Sequence, residues 1–156
     1  MIAACGVVKI VWVRASRSGR SFFICIYFSY VSICIAIINE DPIALANFDD
    51  KGQSAYVPTI AVAELYAGVR RSQRIAANLA KLERFLALVP IVPFNLSAAK
   101  EFGLIEGELK RLGKPTGKQD AMIAAIARNL GAIVVTHNRR HFENIPHLQI
   151  EDWLIP

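Results

Sequence analysis

From about Ile33 onward the chain alternates two kinds of apolar pattern. One kind recurs every three or four residues, as on the buried face of a helix, and the other is a short uninterrupted apolar run, as in a buried strand. "ICIAIINEDPIALANF" has roughly helical spacing through Ile33, Ala36, Ile37 and Leu45, with Pro42 placed to interrupt or restart the helix. "SAYV", 54–57, predicts a short strand, and Pro58 and Thr59 then open a helix over "IAVAELYAGVRRS", with Thr59 as N-cap. A second helix follows with the stripe Ile75, Leu79, Leu82 and Leu86, ended by Pro90. "IVPF" predicts another strand. Ser97 is placed to cap the next helix, whose stripe is Phe102, Ile105, Leu109 and Leu112 and whose stop is Gly113. A further helix runs from "GKQD" to about Gly131, followed by a strand at "AIVVT", 132–136, and a last one at "LQIEDW". Strands that alternate with helices predict an α/β fold with a parallel sheet. In such sheets ligands bind beyond the carboxyl ends of the strands.

The N-terminal stretch breaks this pattern. Residues 21–39 carry no charge, and Lys9, Arg14, Arg17 and Arg20 lie upstream of them. Length and flanks admit a membrane anchor through 21–39, and "RASRSGRS" has the look of a transit segment. The serines, tyrosines and Asn39 in the run dilute its hydropathy, so no membrane span is favoured.

Charge and cysteines narrow the picture further. The net charge is +5, but four of the 18 basic residues and none of the 13 acidic ones lie in 1–39, so the remainder is close to neutral. Local clusters carry more meaning than the total. Lys110, Arg111, Lys114 and Lys118 precede Asp120, and Arg139 and Arg140 follow the strand "AIVVT". They are either a solvated helix end and loop or a place where phosphate is attracted. Cys5, Cys25 and Cys34 form no C-x-x-C pair and stand near no histidine, which fits a reducing, cytoplasmic setting better than a disulfide framework or a zinc knuckle.

Two acids stand out because of where they lie. Thr116 and Gln119 have the spacing of a capping box, which leaves Asp120 inside the first turn, on the face of Ile123, Ala124 and Ala127. With Gly117 as cap it is still in the first turn, where the helix dipole alone would favour an anion. Glu64 lies among Ile60, Ala61, Ala67 and Gly68, which is not the pattern of a solvated face. An acid so placed has to be paired, protonated or metal-bound. Two such acids from two helices could hold Mg²⁺ or Mn²⁺, ions that need few carboxylates and keep several waters. Thr136 and Asn138 end the strand "AIVVT", where a site is expected. His137 and His141 are four apart, but the first sits at a strand end rather than on a helix, so the spacing does not argue for zinc.

The ordered set "AELYAGV", "GKQDAMIAAIARNLGAIVVTHNRRHF" and "IPHLQIEDW" resembles the PIN-domain ribonucleases of the VapC toxin type over about residues 32–156. The resemblance implies a PIN-like three-layer α/β/α fold with a central, mostly parallel sheet. It also implies a Mg²⁺- or Mn²⁺-dependent endoribonuclease that cuts RNA with metal-activated water, a cognate antitoxin and a homodimer. By it, Glu64 and Asp120 are metal-binding acids, and Asn138 with Thr136 completes the catalytic set. One element departs from the family. Its opening strand ends in Asp-Thr-Asn before "ICI", whereas this chain has Tyr30, Val31 and Ser32 there. A phenol is a poor ligand for a hard dication, so an impaired enzyme is expected. The alternative is an inactive module that still captures an antitoxin. Residues 1–29 are accordingly set apart as an atypical extension, frame-shifted or disordered, and 30–156 as the PIN-like domain.

Overall fold

The computed structural model describes residues 27–29 and 31–155. The expectations for residues 1–26 and for the Tyr30 side chain therefore lie outside the described residues, as do Cys5 and Cys25. Three residues assigned to the extension, Tyr27–Ser29, form strand β1. Helix α1 (Val31–Ile38) and helix α2 (Pro42–Lys51) follow, meeting at 106°. The bend falls where the sequence predicts it. Asp41 caps α2 by accepting the Ile43 and Ala44 N–H groups, and Pro42 occupies the first turn, where its missing N–H costs nothing. Among the described residues no single helix is long and apolar enough to cross a membrane.

Strand β2 (Ala55–Pro58) leads into helices α3 (Thr59–Arg70) and α4 (Ile75–Leu86). Strand β3 (Ile91–Val92) leads into α5 (Leu96–Leu112) and α6 (Lys118–Leu130), and strands β4 (Ile133–Val135) and β5 (Gln149–Glu151) complete the sheet. The strand order is β3-β2-β1-β4-β5 and every pairing is parallel. β1 is the central strand: Phe28 stands opposite Tyr56 on one side and Val134 on the other. The chain steps outward from β1 to β3, then returns to the far side of β1 as β4. Right-handed crossovers therefore put α1 to α4 on one face of the sheet and α5 and α6 on the other. The reversal between β1 and β4 is a topological switch point.

The core explains the sequence pattern, with corrections at helix ends. Ile33, Cys34 and Ile37 of α1, Leu82 and Phe85 of α4, Ile105 and Leu109 of α5 and an unbroken run from Ala121 to Ala127 except Met122 are buried. The terminal stripe members Ile75 and Leu112 are exposed, because a helix end projects past the sheet it packs on. Three predicted caps are replaced. Pro58, not Thr59, precedes α3, and the Thr59 hydroxyl accepts the Phe94 N–H instead. Asn95 caps α5 through the Ala98 N–H, while Ser97 donates to Asn129 Oδ1. Gly117 occupies the cap position of α6, not the Thr116–Gln119 box. Gly113 and Gly131 end α5 and α6 in the left-handed conformation, where a Cβ would be strained.

Candidate functional site

The switch point collects the two acids that the sequence singles out. Glu64 sits in the middle of α3 and Asp120 in the first turn of α6, and these two helices touch. Asp120 is buried, with a side chain 8% exposed. Burial raises the Glu64 carboxyl above the usual carboxylate range, and the Asp120 charge raises it further. The pair is thus a site of concentrated negative charge at the edge of an apolar region.

Asp120 has a partner that sequence reasoning missed. Its Oδ2 lies 2.9 Å from His141 Nδ1. His141 belongs to a short 3₁₀ turn, Arg139–His141, that follows β4. The only available signal was the Asp120–His141 separation along the chain, which means nothing until α6 and β4 are folded against each other. Thr116 also acts here: its hydroxyl donates to the His141 carbonyl at 2.6 Å. It ties the loop before α6 to the turn after β4, a task that leaves it unable to cap.

Thr136 and Asn138 are local partners. Thr136 is fully buried and its hydroxyl accepts the Asn138 N–H at 3.0 Å. The Asn138 side-chain oxygen accepts from Arg140 Nε at 3.1 Å. Thr136 therefore braces the loop that presents Asn138. His137 turns elsewhere, to the buried carboxylate of Asp152 at 2.9 Å, so the two histidines serve different acids and do not converge. Of the basic cluster, Lys118 pairs with Glu106 and lies 5.7 Å from the Phe102 ring centroid, while Lys110, Arg111, Lys114, Arg139 and Arg140 have exposed side chains.

Beside the acids an open groove of about 580 Å³ runs between α1, α3 and α4. Val31, Ile35, Ile38, Val69 and Leu82 give it an apolar floor, and Glu64 lies on its wall with Gln119.

Two carboxylates that feel each other's charge are hard oxygen donors, and a divalent cation bound by both would relieve their repulsion and their desolvation. They are two donors and not a cage: among the described residues no three His, Cys, Asp or Glu side chains come together around one point. The PIN domain pattern matches residues 31–148. The chain belongs to the PIN-domain family. It is 36% identical over 123 residues to the tRNA(fMet)-specific endonuclease VapC of Shigella flexneri, spanning 78% of this chain and 93% of that one. It is also 36% identical to the ribonuclease VapC2 of Haemophilus influenzae, over 82% of this chain and 98% of that one. Its fold superposes on the DNA-bound VapBC complex of Salmonella typhimurium with a TM-score of 0.78 and 34% identity, covering 83% of this chain and 98% of the matched chain. Within the PIN family it thus stands with the VapC-type toxin ribonucleases, which as a group depend on divalent metal.

Proposed function

We propose that this PIN-domain protein is the endoribonuclease toxin of a toxin–antitoxin pair, with Glu64 and Asp120 as the acids that hold Mg²⁺ or Mn²⁺. The observation that carries the assignment of the site is the meeting of these two acids, from separate helices, at the switch point of a parallel sheet. When bound, the cation supplies charge stabilisation at the scissile phosphate and acidifies a water. The protein's own part is positional. Glu64 and Asp120 present oxygen donors from rigid helices, Thr136 holds the Asn138 loop, and Asn138 orients water or substrate from the end of β4. Exposed Lys110, Arg111, Lys114, Arg139 and Arg140 draw the RNA backbone toward the acids. The reading places the protein in the cytoplasm, which holds RNA, as a homodimer with a second copy of this chain.

The antitoxin partner fits the groove between α1, α3 and α4. An apolar floor with Glu64 on its wall suits an amphipathic segment that carries a basic residue at the acid end. Occupancy would cover Glu64 and silence the enzyme.

Tyr30 stands where the resemblance calls for a third acid, which lowers the expected activity. It also favours a second reading, a module that keeps its antitoxin and has lost its chemistry. RNA cleavage by the purified chain, titrated with Mn²⁺, separates the two. The enzyme reading expects weak cleavage that chelation abolishes and that Tyr30→Asp increases. Cleavage that survives chelation, or robust cleavage unchanged by both Tyr30→Asp and Tyr30→Ala, would refute this reading of the site.

A further inference from the structure

We propose that His141 is a positioning residue for Asp120: its Nδ1–H fixes the rotamer in which the carboxylate meets Glu64. The inference rests on the reading of Glu64 and Asp120 as the metal-holding pair. Asp120 as a carboxylate can only accept, so the hydrogen between His141 Nδ1 and Asp120 Oδ2, 2.9 Å apart, belongs to the imidazole. In the neutral imidazole Nε2 is then left without a proton.

The His141 backbone is held by contacts other than Asp120. Its carbonyl takes the Thr116 hydroxyl at 2.6 Å, its N–H donates to the Asn138 carbonyl at 3.2 Å, and the next residue, Phe142, is fully buried. The backbone of the 3₁₀ turn is thus pinned from three sides, which sets where the imidazole meets the Asp120 carboxylate; the two side chains are 37% and 8% exposed. Asn138 immediately precedes the same turn, so one short segment presents Asn138 and brings His141 to Asp120. A partner that donates to a ligating carboxylate fixes its geometry, and losing such a partner commonly weakens metal binding about 10- to 100-fold.

Two measurements on the full chain test this. The first is the ¹⁵N spectrum of the histidine side chains at pH 8 without metal. The proposal expects His141 as the Nδ1–H tautomer, with that preference lost in Asp120→Ala; a His141 that carries its proton on Nε2 in the wild type would overturn it. The second is Mn²⁺ binding, read from the paramagnetic resonance signal of free Mn²⁺. His141→Ala should weaken binding about 10- to 100-fold, with circular dichroism unchanged, and His141→Asn, whose amide nitrogen reaches the place of Nδ1, should recover most of it. Wild-type affinity in His141→Ala, alongside loss in Asp120→Asn, would overturn the positioning role alone. Wild-type affinity in Asp120→Asn, or no binding by the wild type, would overturn the metal-site reading instead, and the tautomer would still decide the role of His141.

Discussion

The carboxylate of Asp120 folds back over Gly117: a β-carbon on Gly117 would stand 2.7 Å from Asp120 Oδ2. The backbone of Gly117 is in the extended region, which any residue adopts, so the glycine is not there for its φ. It is there for space. Alanine at 117 would be accommodated by swinging the end of the Asp120 side chain away, which moves the very oxygen that His141 holds. Gly117→Ala should therefore cost no more stability than the displaced hydrogen bond, about 1.5–3 kcal/mol, while weakening Mn²⁺ binding about 10-fold or more. Paired melting and Mn²⁺ titration check this; wild-type Mn²⁺ affinity would show that the position of Oδ2 is unimportant.

Glu64 gives a prediction with a definite sign. Burial first, and the Asp120 charge second, raise its carboxyl above 4.5, so the folded state holds the proton more tightly than the unfolded chain. Its contribution to the stability of the metal-free protein is therefore greatest at low pH and is lost as pH rises through the raised value. Glu64→Gln removes the charge and should raise the metal-free thermal midpoint at pH 7.5 by about 1–3 °C. The gain should shrink toward pH 4.5. Melting curves across that range would contradict the account if the variant were less stable at pH 7.5 or gained most in acid.

Arg128 holds the opposite face of the sheet. Its guanidinium, with a side chain 10% exposed, bonds Glu101 at 2.5 Å and Glu108 at 2.6 Å across α5 and α6, and donates to the Pro146 carbonyl at 3.0 Å. Arg128→Ala strands two half-buried carboxylates and should cost about 3 kcal/mol in denaturant unfolding. Residual metal binding below the melting point should be unchanged. A loss under 1 kcal/mol (about the value of an exposed pair) would mean that the network is solvated.

Ile35, 46% exposed, lines the groove without supporting the core. If the antitoxin docks there, Ile35→Lys should abolish co-purification with the antitoxin and leave the melting temperature unchanged. Undiminished capture would move the docking surface elsewhere.

Much of this was legible in the sequence because it rests on local chemistry. The helices and the short strands follow from periodicity, and the breaks at Pro42, Gly113 and Gly131 follow from backbone restrictions. The two acids were visible as charges on apolar faces. What was hidden depends on tertiary contact. Thr59, Ser97 and Thr116 look like caps, yet each spends its hydroxyl on a distant element. His141 is silent until α6 packs beside β4. β1 was hidden because it lies inside a long uncharged stretch that masks where the strand begins, and only its pairing with β2 and β4 reveals it.

The central claim is that Asp120 belongs to a metal-dependent, RNA-cutting site. Initial rates of RNA cleavage by wild type and Asp120→Asn, across one Mn²⁺ titration, test it most directly. The wild type should cleave RNA in a Mn²⁺-dependent way and the variant should lose about 100-fold or more, as expected when an acid that holds a catalytic ion is neutralised. Equal rates in the two proteins at every Mn²⁺ concentration would contradict it.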